Sequence, residues 1–519
     1  MTAEPARTGE GPAAGTERAA APGGARVVPA AVRGVPVRRS GFGEFVARAH
    51  ARGELVVQPR MGFSDPGEMR AGLLATKRAG ATTVGTLTLD SYTRVGEHDA
   101  ARRALEAGVR LNGYPIVAQS AARTRAVLDG ALDEGFPVQV RHGSARPQRI
   151  MTALAEVGLH ATEGGPASYC LPYGRVPLRE SVENWVECCR LLAAVRETGG
   201  EPHLETFGGC MMGQLCPPSL LVAISLLEGL FFCQNGLSDV SLSYAQQTSG
   251  VQDEEAVAAL RRLAAEFLPT PYWHIVVYTY MGVFPQTPEG AADLLAASAR
   301  LAVRSGASRL IVKTAAEAFG IPTVGENVTA LEHAARVAAA ERSAPPGRAD
   351  GDSEVYAEAR AFVEAVLDLD GVVARSLPRA FERGYLDVPF CLHPDNAGRS
   401  RSTIDDSGRL RWTAVGAMPL GRSSVAGLTR PLTSGGLLSS LSYMQHSYDR
   451  AGLDGAAGRP IAAGPAGPAA LTAHEAYQAP GSLQNHGSHQ THGARQPDET
   501  PETHETPRTP TPESTRNRP

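Results

Sequence analysis

The sequence predicts an α/β chain built on a (β/α)8 TIM barrel, with a C-terminal α+β appendage and disordered termini. Three observations lead there. Short apolar strands alternate with helical segments at spacings of about 25–35 residues, which favours parallel βαβ units. About eight such repeats follow one another in one domain, and that number favours closure over an open sheet. No G-x-G-x-x-G follows any of the strands, so the fingerprint of an open dinucleotide-binding sheet is missing.

Residues 1–38 are rich in Ala, Gly, Pro and Arg without periodicity and read as disordered. A helix is expected from Phe42 to Arg52, with Phe45, Val46 and Ala49 on one face. Candidate strands follow near 55–60, 82–89, 111–117, 137–141, 158–163, 203–207, 238–244, 273–280 and 309–313. These are nine where a barrel takes eight, so one lies outside it or is not a strand. Helices are expected between them, among others at Ala100–Ala107, Ala121–Leu132, Ser181–Glu197 and Ala291–Ser305. The barrel then spans 39–345. Residues 346–450 form the appendage, with helices at Val355–Leu367 and Pro378–Arg383 and a loop-rich region with short strands from Phe390 to Trp412. Residues 451–519 are rich in Pro, Thr, Glu and His and hold almost no large apolar side chain, so they cannot bury enough surface to order themselves. His474, His486, His489, His492 and His504 lie in that tail, and no functional metal site is expected from them.

A net charge of −4 over 519 residues argues against nucleic acid or an anionic membrane as the main partner. The seven cysteines are odd in number and form no C-x-x-C pair, which points away from a disulfide framework or zinc site and toward a reducing compartment. No charged start followed by an apolar run marks a signal peptide. The most apolar stretch, Leu220–Cys233, contains Glu228 and is too short to span a bilayer. A cytoplasmic protein is expected.

The chemistry gathers at strand ends, where barrel enzymes place reactive groups. Three strands run into arginine, at Arg60, Arg94 and Arg141. The planar, permanently charged fork of arginine matches a carboxylate bidentately, and two or three of them suit a small dicarboxylate or a phosphate. The plainer reading pairs each with a carboxylate of the protein or leaves it on the surface. A fourth strand ends in the opposite charge, Glu163 before Gly164 and Gly165, where an ammonium group could be received. Tyr169 and Tyr173 follow at four-residue spacing as hydroxyl donors or as core rings. An arginine cluster with one glutamate describes a ligand with two carboxylates and one amine, a glutamate-like amino acid. Lys313 ends the last strand and leaves three readings open: a Schiff-base nucleophile, a hydrogen-bond donor to a cofactor, or an ion pair with Glu317.

The motifs Gln58-Pro-Arg60-Met-Gly62, Asp90-Ser-Tyr-Thr-Arg94, Leu111-Asn-Gly-Tyr-Pro115 and Arg141-His-Gly143 resemble the large (epsilon) subunit of glutamate mutase, also called methylaspartate mutase. So do Glu163-Gly-Gly, Ser168-Tyr169 with Pro172-Tyr173, Phe284-Pro-Gln286, Lys313-Thr with Glu317-Ala-Phe-Gly-Ile321, Asp387-Val-Pro-Phe390 and Asn396-Ala-Gly398. The resemblance covers residues 40 to about 420, in order. It implies an adenosylcobalamin-dependent isomerase that interconverts L-glutamate and (2S,3S)-3-methylaspartate by radical rearrangement of the carbon skeleton. It implies that Arg60, Arg94 and Arg141 form a claw for the substrate carboxylates, with His142 beside them. Glu163 would hold the amine, and Tyr169 and Tyr173 would complete the substrate shell. Arg141, Glu163 and Lys313 would be the catalytic group. Gly62, Asn112, Pro172, Phe284, Lys313, Glu317 and Ile321 match cofactor-contacting positions.

The histidine motif Asp-x-His-x-x-Gly, which binds cobalamin in that family, does not occur in this sequence. The resemblance therefore implies a separate small (sigma) subunit that carries it, and a homodimer of this chain within a heterotetramer. Two departures stand out: Pro166 replaces a third glycine after Glu163-Gly-Gly, and Tyr244-Ala-Gln-Gln-Thr-Ser-Gly250 differs from the family's loop. Two alternatives remain, a Schiff-base lyase using Lys313 and a non-catalytic amino-acid-binding relative.

Overall fold

A computed structural model of the chain describes residues 41–172, 174–210, 215–342, 352–421, 424–426 and 433–456. Eight short strands form one parallel sheet: β1 (Val56–Pro59), β2 (Gly85–Thr88), β3 (Val138–Arg141), β4 (Ala161–Gly164), β5 (His203–Thr206), β6 (Asp239–Ala245), β7 (Trp273–Tyr278) and β8 (Arg309–Val312). Each pairs with its neighbour in sequence from β2 to β8, and β8 pairs with β1, Val56 lying opposite Arg309. A bridge between Val57 and Thr83, with Thr88 N–H donating to the Met61 carbonyl at 2.9 Å, joins β1 to β2 and closes the ring. The fold is a (β/α)8 TIM barrel. Its outer helices include Pro66–Arg78 after β1, Gln148–Glu156 after β3, Leu178–Ala193 after β4, Pro288–Arg304 after β7 and Val324–Glu341 after β8.

The surplus strand is 111–117. It touches β2's continuation through one bridge, Leu89 to Tyr114, and forms no ladder. Pro115 in the middle of the run has no N–H to give, which disqualifies it from a central strand. The strand expected over 82–89 is also shorter than its apolar run, because Asp90 accepts from Thr93 N–H at 3.0 Å and starts a five-residue helix, Ser91–Val95. Arg94 therefore sits on a helix after β2, not at a strand end.

The apolar stretch around Leu220 forms the helix Pro218–Gln234, which is buried on all sides between β5, β6 and the helices Gly250–Phe267 and Glu354–Leu369. At the other end of the barrel, helix Phe42–Ala51 lays Phe42, Phe45, Val46 and Ala49 against Val56, Val84 and Ala161, near the N-terminal ends of the strands. The Phe42 ring stacks on His203 with centroids 4.9 Å apart, and the Arg309 guanidinium lies 4.9 Å from the same ring.

Beyond the barrel, the helix expected at Val355–Leu367 runs over Glu354–Leu369. The one expected at Pro378–Arg383 starts earlier, at Val373, and carries Pro378 inside it. Val373, Leu377, Ala380 and Phe381 supply its buried face, so packing overrides the usual preference of proline for a first turn. A hairpin follows, β9 (Arg401–Ile404) and β10 (Leu410–Ala414), and Trp412 Nε1 donates to Glu358 at 3.2 Å. The helix Tyr443–Ala456 reaches past residue 450, and Asp449 on it accepts from the N–H groups of Gln286 and Thr287 at 3.0 and 2.9 Å. The expectations for residues 1–38, for the rest of the tail and for its five histidines fall outside the described residues. Among the described residues six cysteines are free thiols, and no helix is long and apolar enough to cross a membrane.

Candidate active site

Barrel interiors are usually filled by branched apolar side chains. This one is polar. Gln58, Gln139, Glu205, Ser241 and Arg309 are all fully buried inside it. Arg309 donates to Gln58, to Glu205, to Ser241 at 3.2 Å and to Gln139 at 3.3 Å. Burial is the strongest single influence on Glu205 and would raise its pKa, but the Arg309 charge, the Tyr278 hydroxyl and Arg141 together hold the carboxylate below its ordinary value.

Above this layer lies the first half of the site. Arg141 closes β3, two residues after Gln139 and therefore on the same face. Its Nε donates to Glu163 Oε2 at 2.7 Å, and both side chains are at least nine-tenths buried. Glu163 also accepts from the Tyr169 hydroxyl through Oε1 and from the Tyr278 hydroxyl through Oε2 at 2.8 Å. Burial would lower the Arg141 pKa, yet Glu163 beside it prevails and keeps the guanidinium well above its ordinary value. Arg141 Nη1 is buried without a hydrogen-bond partner.

His142 follows, T-shaped to Tyr169 at 5.0 Å and stacked over Trp185 at 6.0 Å. Its Nδ1 accepts from Ser144 N–H at 3.0 Å, which places the ring proton of the neutral form on Nε2. Burial, then the Arg94 charge, pushes its pKa down to about 3, so the imidazole is neutral at physiological pH. Arg94 Nε donates to the His142 carbonyl at 2.9 Å. Among the described residues no carboxylate lies within ion-pair distance of Arg94.

The turn after β4 is fixed from behind. Glu228, fully buried on the helix Pro218–Gln234, accepts from the N–H groups of Ala167 and Ser168 at 3.2 and 2.9 Å, and from the Ser168 hydroxyl at 2.9 Å. A Cβ at Gly165 would fall 2.1 Å from that carboxyl, so only glycine fits there. The Pro166 carbonyl accepts from the Ser181 hydroxyl at 2.8 Å. Burial pushes the Glu228 pKa up to about 7.

The second half of the site lies across the barrel, around β8 and β1. Glu317 Oε2 meets Arg60 Nη1 at 3.1 Å and Lys313 Nζ at 3.3 Å. Burial lowers the Lys313 pKa against the pull of Glu317. Burial would raise that of Glu317, but Lys313 and then Arg60 bring it below its ordinary value. The Lys313 ammonium also lies 5.1 Å from the centre of the buried Phe284 ring. Lys313 is thus ion-paired with Glu317. Gly62 packs against β2, where a Cβ would fall 2.1 Å from the Thr88 carbonyl oxygen. Asn112 is exposed and accepts from Ser91 N–H at 2.9 Å. Pro172 is half-buried, and Ile321 is 57% exposed. Tyr173 falls outside the described residues.

Arg141, His142, Glu163 and Tyr169 are thus joined in one cluster and Arg60, Lys313, Glu317 and Phe284 in another, while Arg94 attaches to the first through backbone. The loop Tyr244–Gly250 is tied down by Asp253, which accepts from the Tyr244 hydroxyl at 2.8 Å and from Gln247 N–H at 3.0 Å. Sequence reasoning missed Tyr278, Glu205, Arg309 and Trp185. A charge at the middle of a strand, as in His203-Leu-Glu205-Thr206, was the available signal, since both faces of a barrel strand are buried.

The family model described as methylaspartate mutase E chain (MutE) matches residues 36–430. The glutamate mutase epsilon subunit of Escherichia coli O157:H7 is 33% identical over 395 residues, covering 73% of this chain and 81% of that protein. The protein of the same name from Halobacterium salinarum is 32% identical over 377 residues, with 70% and 78% covered. That from Desulfitobacterium hafniense is 30% identical, with 74% and 81% covered.

Proposed function

The chain belongs to the methylaspartate mutase E chain family, and from that premise we propose that it is the substrate-holding subunit of an adenosylcobalamin-dependent glutamate mutase, interconverting L-glutamate and (2S,3S)-3-methylaspartate. The observation that carries the reading is the charge pattern at the mouth. Four cations, Arg60, Arg94, Arg141 and Lys313, face two carboxylates, Glu163 and Glu317. The surplus of two positive charges suits a ligand with two carboxylates. The unpartnered Arg141 Nη1 is a buried donor, and leaving one unmade costs roughly 1–3 kcal/mol. A ligand carboxylate would recover that cost. Glu163 takes three donors, and a carboxylate offers roughly four acceptor positions, so one is left for an ammonium N–H.

The residues also fit the cofactor. Glu317 is held in place by two cations, and Phe319 and Ile321 beside it are 70% and 57% exposed, a polar acceptor next to bare apolar surface. Gly62, Asn112, Phe284, Lys313, Glu317 and Ile321 would hold it from the loops around β7, β8, β1 and β2, with Pro172 on the β4 side. When bound, adenosylcobalamin supplies an adenosyl radical that abstracts and returns a substrate hydrogen. The chain's own residues bind and retain. Arginine forks keep both carboxylates in place while the skeleton rearranges, Glu163 orients the amine, and the neutral His142 adds no competing charge. The cobalamin-binding half belongs to a small partner subunit with Asp-x-His-x-x-Gly, since this sequence has no such motif. We place the chain as a homodimer within a heterotetramer.

The test is reconstitution. The chain alone is expected to be inactive, and with the small subunit and adenosylcobalamin it should convert L-glutamate to 3-methylaspartate, followed by proton NMR. No product with a partner subunit proven competent in another glutamate mutase overturns the assignment.

A further inference from the structure

Tyr278 belongs to none of the groups assigned above, yet it touches both members of the buried Arg141–Glu163 pair. It ends β7 and is fully buried. From there its side chain crosses the barrel to β4 and β5. The hydroxyl contacts Glu163 Oε2 at 2.8 Å and also Glu205 Oε1. The Arg141 guanidinium lies over the ring, 4.9 Å from its centre, and Phe207 stands edge-on to it at 5.6 Å.

We propose that Tyr278 is the positioning residue of the amine-binding end: its hydroxyl fixes Glu163, its ring supports Arg141, and the Glu205–Arg309 pair beneath anchors it. The inference rests on the reading of Glu163 as the amine acceptor. Its logic runs upward from the barrel's interior. Glu205 Oε2 is committed to Arg309, to Ser241 at 3.1 Å and to Gln139 at 3.2 Å, so Glu205 cannot turn. Its other oxygen then fixes the Tyr278 hydroxyl, and the hydroxyl fixes Glu163 Oε2. One phenolic hydrogen is shared by two carboxylate oxygens, so the hydroxyl is held between Glu205 and Glu163. A ligand ammonium thus meets a carboxylate that is already aimed, with no rotamer search to pay for. The carboxylate end of a ligand feels Tyr278 only through the ring beneath Arg141.

Those two contributions separate in Tyr278→Phe, which keeps the ring and deletes the hydroxyl. The experiment measures binding of L-glutamate and of glutarate, which has both carboxylates and no amine, to the full chain by calorimetry. The unaltered chain should prefer glutamate. Tyr278→Phe should weaken glutamate roughly tenfold, the scale of one hydrogen bond to a charged group, and leave glutarate within about twofold. In the reconstituted complex KM for glutamate should rise more than kcat falls. Equal losses on both ligands would mark a merely structural role and overturn the proposal, as would unchanged glutamate binding. An unaltered chain that binds glutarate as well as glutamate would overturn the amine-site reading itself, and this inference with it. If the phenylalanine variant is recovered unfolded, 3-fluorotyrosine at position 278 keeps the shape and makes the phenol a stronger donor. The glutamate-to-glutarate affinity ratio must then change while glutarate affinity does not, and a constant ratio overturns the proposal.

Discussion

Replacing Arg141 by lysine isolates the fork from the charge. In the folded chain Arg141 uses Nε on Glu163 at 2.7 Å and keeps Nη1 without a partner. Lysine offers one ammonium on a flexible stem, which can serve Glu163 or a ligand carboxylate but not both in fixed directions. The variant therefore loses one charge-assisted hydrogen bond to the ligand, worth roughly 1.5–3 kcal/mol, or about 10- to 150-fold in kcat/KM. Stability should change little, since Glu163 keeps a cation beside it. Arg141→Met differs: it strands a buried carboxylate, at a cost of roughly 3–5 kcal/mol in stability. The assay is steady-state formation of 3-methylaspartate in the reconstituted complex, alongside calorimetric melting of each chain. Arg141→Lys activity within threefold of the unaltered protein would refute the claw. A melting loss in Arg141→Lys as large as in Arg141→Met would refute the separation of binding from stability.

Gly62→Ala places a Cβ 2.1 Å from the Thr88 carbonyl oxygen, so β1 and β2 must part at the mouth; a lowered melting temperature together with weakened glutamate binding is expected. Glu228 has its pKa raised from 4.5 to about 7 by burial, so the folded chain holds a proton there that the unfolded chain releases. That contribution, on the order of 3 kcal/mol, is complete below pH 4.5 and lost as pH rises through 7. Melting curves from pH 5 to 8 should therefore fall with pH less steeply for Glu228→Gln than for the unaltered chain. Borohydride treatment with 2-oxo acids should add no mass at Lys313, because the ammonium is paired with Glu317; a trapped adduct would revive the lyase reading.

Much of the fold was legible because barrel strands are short apolar runs at regular spacing, and Val138–Arg141 and Arg309–Val312 read as such. The errors have local causes. The run at 111–117 is apolar enough for a strand, but Pro115 removes the donor a ladder needs. Arg94 looked like a strand end because Asp90 caps a helix that no apolar period announces. The site was legible where charge ends a strand, as at Arg141 and Glu163. It was hidden where polar residues alternate inside strands, as at Gln139 and Glu205, because their partners are strands distant in sequence. Arg309 meets Glu205 across 104 positions, a pairing that only barrel closure brings about.

Helix Phe42–Ala51 has a consequence for the charges inside the barrel. With Phe42 packed on His203 and Arg309, an aromatic ring covers the buried polar layer at the near end of the barrel, while Arg141 and Glu163 lie on the opposite side of that layer. Kept from solvent on that side, the Glu205–Arg309 pair beneath the charged cluster retains the strength that water would otherwise take from it.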